Sequence, residues 1–322
     1  MITRRQLGLA GIAGSAVALS STAGWAQSVA RPVPPRQAPA HYRFMSGGFQ
    51  ITALSDGHID LTHALFPAAT AELARDLARA AFLAPGPLPT SVNAFVVETE
   101  GRMILIDAGT GPSRGASVGR LPSEMRAAGI NPEGVSAVLL SHLHTDHCGG
   151  LLNSGGERVF PNAEVLVAEP ELRFWTDTGL PSRAPEAMQA MIRIANAVVQ
   201  AYRGQLTPFV AGTMVVPGVR SIPLFGHTPG HTGFVIGTGE ASLFIWGDIV
   251  HVAAYQFANP DWGLSLDVDQ AASAATRVRT FAQVASDRLR VAGMHLPFPG
   301  VGHVARDGAA YRYVPRPWQP LG

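Results

Sequence analysis

In the six-residue segment His142-Leu143-His144-Thr145-Asp146-His147, four side chains can bind a divalent cation, and no other stretch constrains this chain as tightly. It follows Val135 to Leu140, an apolar run that reads as a buried strand. Three further runs end in the same way. Ile222 to Phe225 leads into Gly226-His227-Thr228-Pro229-Gly230-His231, Ser242 to Trp246 into Gly247-Asp248, and Leu289 to Ala292 into Gly293-Met294-His295. Phe95 to Val97, Met103 to Ile106 and Val165 to Val167 also read as strands. The apolar spacing of Met188, Met191, Ile192, Ala195, Val198, Val199 and Tyr202 predicts a helix over Ala184 to Tyr202. Weaker helical patterns cover Ala68 to Phe82 and Asp269 to Ala285, the latter opened by an Asp suited to capping. The class is therefore an α/β sandwich in which several strands deliver His or Asp at one end, where open α/β sheets place their ligand sites.

Imidazole and carboxylate donors suit zinc and similar divalent ions. The His142 to His147 loop offers more donors than one ion can take from so short a segment, so two ions dividing the set is the natural solution. Gly149-Gly150 allows the backbone to turn closely beneath the site. His231 and His295, each after a strand, are candidate ligands, and Asp248 can bridge two ions roughly 3.5–4 Å apart. Asp107, at the end of its own strand, is expected to orient a ligand rather than to be one. Cys148 is expected to pack.

Composition removes several alternatives. Apolar residues make up 47% of 322 and charged residues 15%, which excludes a disordered or coiled-coil chain. The net charge of +1 supplies no field for nucleic acid, and a small neutral ligand fits it better. All 24 basic residues are Arg, so Lys nucleophiles are absent, and the single Cys excludes disulfides and Cys-based zinc sites.

Residues 1–26 carry Arg4-Arg5, an apolar stretch to about Leu19, and small residues Gly24 and Ala26 spaced as at a signal-peptidase site. They resemble a bacterial export signal of the twin-arginine type, which implies a periplasmic or secreted protein. The apolar run is shorter than the roughly 20 residues of a bilayer span, so no stable membrane insertion is expected after cleavage. Residues 27–44 read as a Pro-rich arm and 45–322 as one domain.

The pattern His142-x-His144-x-Asp146-His147, with His231, Asp248 and His295, resembles the metallo-β-lactamase superfamily over about residues 45 to 305. That resemblance implies a four-layer αββα sandwich with a dinuclear site at one edge of its two sheets. It implies that His142, His144 and His231 hold one ion and Asp146, His147 and His295 the other, with Asp248 bridging; zinc is expected, with Mn, Co or Fe as alternatives. The tracts Trp246-Gly247-Asp248-Ile249-Val250-His251-Val252 and His295-Leu296-Pro297-Phe298-Pro299-Gly300-Val301-Gly302-His303 are similar to the methyl parathion hydrolase and quorum-quenching lactonase branch, which implies a homodimer. His303 is read as structural. The acyl-homoserine lactone lactonases carry Tyr three positions after the bridging Asp; His251 stands there and becomes a candidate for contacting substrate or the leaving group.

Two ions bring the pKa of a shared water toward about 7 and so provide a bridging hydroxide nucleophile. Asp146 and Asp248 are candidates to assist proton transfer. Leu65-Phe66, Phe82-Leu83, Trp175, Trp262 and Phe298 are candidates to line a pocket for a small neutral hydrophobic lactone, aryl ester or phosphotriester. A periplasmic β-lactamase and a catalytically silent metal-binding protein of the same fold are the alternatives.

Overall fold

The computed structural model describes residues 37–99 and 101–321; the export signal and most of the arm expected for residues 1–44 lie outside the described residues. Two seven-stranded mixed sheets form the centre. The first comprises β1 (His41–Ser46), β2 (Phe49–Leu61), β3 (Leu88–Thr99), β4 (Arg102–Ile106), β5 (Ala137–Leu139), β6 (Glu164–Ala168) and β7 (Leu206–Phe209), paired in chain order. The second comprises β8 (Met214–Val216), β9 (Val219–Pro223), β10 (Thr232–Ile236), β11 (Leu243–Ile245), β12 (Arg290–Ala292), β13 (Val301–Asp307) and β14 (Ala310–Pro315), again in chain order. β1 begins at His41, so the final residues of the segment read as an arm belong to the sheet. Helices α1 (Ala71–Ala80), α2 (Leu121–Ala127), α3 (Thr145–Cys148), α4 (Glu169–Trp175), α5 (Leu180–Arg183), α6 (Glu186–Ala201), α7 (Ala253–Gln256) and α8 (Gln270–Ser286) connect or cover them.

Two-residue alternation in the strands builds the layers. Ile104, Ile106, Leu139, Leu166 and Ala168 face inward, where they meet Phe234, Ile236, Leu243 and Ile245 of the second sheet. Their neighbours Leu105, Val138, Val165 and Val167 face outward and pack under Met191, Ile192, Ala195 and Val198, the apolar stripe of α6. Phe244 and Trp246 likewise face Phe281 and Val284 of α8, whose first turn is capped by Asp269 accepting from Ala272 N–H. Each large apolar side chain so buried contributes about 1.5–3 kcal/mol. The order helix, sheet, sheet, helix is the expected αββα sandwich.

Strand direction decides where the chemistry gathers. β4, β5 and β6 run parallel, as do β11 and β12, and β9 shares their direction because β10 is antiparallel to both β9 and β11. Asp107, the His142 to His147 loop, the loop after β9, Asp248 and His295 therefore emerge along one edge. A bulge in β2 at Asp56 secures that edge: its buried carboxylate accepts from Thr110, Gly119 and Leu121 N–H and holds the connection after β4.

Candidate metal centre

Asp107 lies just past β4 in the left-handed region, at φ 57°. It accepts Ser141 N–H and Oγ–H, both at 2.7 Å, and Nδ1–H of His147, also at 2.7 Å. As expected, it orients a candidate ligand. The other rings are fixed in the same manner. His142 Nδ1 lies 3.0 Å from Ser141 Oγ, whose proton is already given to Asp107, so the imidazole donates. His227 donates Nδ1–H to Asp267 at 2.7 Å, and His295 donates Nδ1–H to Ser91 O at 2.7 Å. Each donation leaves the opposite ring nitrogen, Nε2, with its lone pair turned toward the site when the ring is neutral.

The inward nitrogens crowd together. His144 Nδ1 lies 3.0 Å from Nε2 of both His142 and His227. Asp248 Oδ2 lies 3.2 Å from Nε2 of His251 and of His295, 3.3 Å from that of His147, 3.5 Å from His227 and 3.7 Å from His142. Asp146 Oδ2 lies 3.4 Å from His295 and 3.8 Å from His147. One proton cannot satisfy three ring nitrogens crowded at 3.0 Å in a dry interior, whereas a cation among them would be coordinated by all three. Buried His147 Nε2 and Asp248 Oδ1 have no hydrogen-bond partner. Among the described residues, the donors able to hold an ion form three groups: His142, His144, His227 and Asp248; Asp146, His147 and His295; and Asp248, His251 and His295.

His231 is corrected by this geometry. It is buried outside all three groups. Its Nδ1–H donates to Leu224 O at 3.0 Å, and its Nε2 accepts Asp248 N–H at 2.9 Å. His227, four residues earlier in the same loop, stands in the donor set instead. The expected pocket aromatics are also redistributed: Phe66 and Trp262 fill a core with α1 and α7, and Phe298 packs against the core between the sheets. Trp175 is fully buried with its ring edge-on to His144, while Phe82 is exposed. Cys148 packs as expected, and burial pushes its thiol far above the ordinary range.

Electrostatics follow the crowding. Burial, helped by neighbouring imidazoles, holds His142 and His144 well below the ordinary histidine range. For His147, burial opposes protonation but the carboxylates of Asp248, Asp107 and Asp146 outweigh it and raise the ring well above that range. Burial disfavours the Asp146 carboxylate, yet His147 and His295 pull it down to about 2. Burial lowers His251 to about 4, so this ring is neutral at pH 7. Glu171 braces the two loops beneath the donors: Leu143 N–H and Trp175 Nε1–H donate to one carboxylate oxygen, Thr228 Oγ–H and Gly230 N–H to the other.

A family model for the metallo-beta-lactamase superfamily matches residues 87–304, an interval that contains every one of these donors. The chain belongs to that superfamily. The superfamily's fold also appears in solved structures similar to this one. Hydrolase AbOPH is 31% identical, with a TM-score of 0.83 over 88% of this chain and 100% of that one. AidC, a dizinc quorum-quenching lactonase solved with N-hexnoyl-L-homoserine, is 25% identical, with a TM-score of 0.81 over 87% and 99%. An N-acyl homoserine lactonase from Bacillus sp is 27% identical over 179 residues, which span 49% of this chain and 64% of that relative. The chain thus matches less than two thirds of the length of its curated relatives. Membership of this superfamily and the buried His/Asp donor cluster go together in one chain, and the donors are of the kind that hold divalent ions.

Proposed function

We propose that two divalent ions, zinc in the first place, are held here, one by His142, His144 and His227 and the other by Asp146, His147 and His295, with Asp248 shared. The observation that carries this reading is the pair of separate three-residue donor sets flanking one buried carboxylate. When bound, such ions supply Lewis acidity and a nucleophilic water at neutral pH. The substrate is a small, neutral, ester-like molecule, a lactone ahead of an aryl ester or phosphotriester. The lactonase relatives support that ranking, and the absence of a basic field supports a neutral substrate.

The chain's own residues then have distinct tasks. Asp107, Ser91 and Asp267 fix the rings of His147, His295 and His227 through Nδ1. Asp248 and Asp146 offer carboxylate oxygens to protons moving within the site. His251 stacks on His295 with ring centroids 5.3 Å apart and faces Asp248 through Nε2. A neutral imidazole protonated at Nε2 donates either to Asp248 or to an oxygen leaving beside it. Its backbone is held by Gln256 Oε1, which accepts His251 N–H at 2.7 Å. We also place the mature protein outside the cytoplasm, on the Arg4-Arg5 segment, and as a homodimer; cell fractionation and light scattering test these assignments.

The test is turnover of γ-butyrolactone, phenyl acetate, methyl paraoxon and a chromogenic cephalosporin by one metal-loaded sample, before and after chelation. The lactone is expected to rank first, and chelation to abolish all turnover. A cephalosporin ranking first would replace the lactone, and inactivity toward all four with metal fully loaded would overturn ester-bond hydrolysis.

A further inference from the structure

Arg277, near the middle of α8, is a fully buried cation whose hydrogen bonds all go to neutral oxygens. Its Nε–H donates to Ile249 O at 2.6 Å, Nη1–H to Trp262 O at 2.7 Å and to Pro260 O at 3.1 Å, and Nη2–H to Ser273 Oγ at 3.4 Å. Burial lowers the guanidinium to about 10, with the carboxylates of Asp267 and Asp261 opposing, so it keeps its proton at pH 7. A charge taken out of water without a paired carboxylate is costly, and an apolar side chain would fill the same space under α8 without that cost.

What the guanidinium holds supplies a reason for it. Ile249 directly follows Asp248 and stands two residues before His251. Trp262 O also accepts Gln256 Nε2–H at 3.3 Å, and Gln256 Oε1 accepts the N–H groups of His251 and Val252 at 2.7 and 3.3 Å. Two residues beyond Trp262, Leu264 N–H donates to Asp267, the carboxylate that fixes the His227 ring. One rigid fork therefore joins the segment of Asp248 and His251 to the loop that carries Asp267. We propose that Arg277 is a positioning residue of the metal centre, setting through the carbonyls of Ile249 and Trp262 where Asp248 and His251 stand relative to the other donors. The assignment rests on the reading of those donors as a metal centre. A Lys amine has the charge but a single donor atom, so it cannot hold both carbonyls in the plane of a guanidinium.

The experiment loads wild type, Arg277→Met, Arg277→Lys and Val284→Ala with cobalt(II). Val284 is a buried apolar residue two turns further along α8 and serves as a control for loosening of the helix. Ions per chain, the visible absorption of bound cobalt, thermal midpoint, and kcat and KM for γ-butyrolactone are measured on each. Arg277→Met is expected to bind cobalt with an altered visible spectrum and to lose about a hundredfold in kcat with KM within about threefold, the effect of displacing a reacting group by about 1 Å. Arg277→Lys should show the same spectral change, with kcat lowered about tenfold. Val284→Ala should lower the midpoint and leave spectrum and kcat as in wild type. A wild-type spectrum and kcat in Arg277→Met, with only the midpoint lowered, would make Arg277 a support of the fold and overturn the assignment. Matching spectral and kcat changes in Val284→Ala, or failure of both Arg277 variants to fold, would overturn it as well. A wild type that takes up no cobalt would instead remove the metal-centre reading, and the assignment with it; where the wild type binds cobalt without hydrolysing the lactone, the spectra alone decide.

Discussion

His227 and His231 are chemically equal in the sequence, and their surroundings separate them. His227 turns its Nε2 toward His144 and Asp248, whereas His231 spends both nitrogens on Leu224 O and Asp248 N. His227→Ala is expected to lower bound metal and turnover together. His231→Ala should retain most of its metal but lose about 1–3 kcal/mol of stability, because Asp248 N–H is left buried without an acceptor. Metal analysis and denaturant unfolding of the two variants check this; equal metal loss in both would put His231 back among the ligands. Cys148 gives a second residue-scale prediction: a fully buried thiol with its proton held tightly should resist iodoacetamide in the native protein and react after unfolding. Most of the donor set was legible because His and Asp directly follow apolar runs. His227 carried the same signal, two residues past Phe225 as Asp248 is two past Trp246, but the sequence offers His227 and His231 in one loop, and the path that separates them is braced by Glu171 of another element.

The elements that position the site tolerate little change at their glycines. A Cβ on Gly150 would lie 1.9 Å from Ala108 O, where the turn after α3 passes under the connection from β4. Gly150→Ala should therefore lower stability by about 2 kcal/mol and reduce metal content as well, because His147 lies just before this turn and its carbonyl is tied to the same connection by Ala108 N–H. Melting and metal analysis on one preparation test the coupling; a destabilised protein with full metal would show that turn and donors are independent. Strands β4, β5, β6, β11 and β12 were legible as short apolar runs enclosed on both faces. β3 and β9 were legible in part, through Phe95 to Val97 and Ile222 to Phe225, and the rest were hidden for physical reasons. β2 alternates with polar residues and is interrupted by its bulge, β7 contains Pro208 at the edge of the first sheet, and β14, an edge strand of the second sheet, buries only Tyr311 fully. Helix α6 was legible in full from its spacing, and α8 from Asp269 at its start.

At the scale of the molecule, the donors join the two sheets. His142 to His147 follow β5 in the first, while His227, Asp248 and His295 follow β9, β11 and β12 in the second. Bound ions should thus act as a staple and stabilise the folded chain by mass action, about 4 kcal/mol when free metal exceeds its dissociation constant a thousandfold. Chelation should lower the thermal midpoint reversibly, and scanning calorimetry with zinc added back checks it; an unchanged midpoint would place the ions outside the folded framework. The layered class is readable in the sequence because the strand periodicity and the repeated strand-end donors agree on one architecture. The most direct test of the whole account is the number of divalent ions per chain in protein purified without chelator and dialysed to constant content. Two ions are predicted, falling on substitution of Asp248 by Asn; a wild-type value of one or none at saturating zinc would contradict the dinuclear centre.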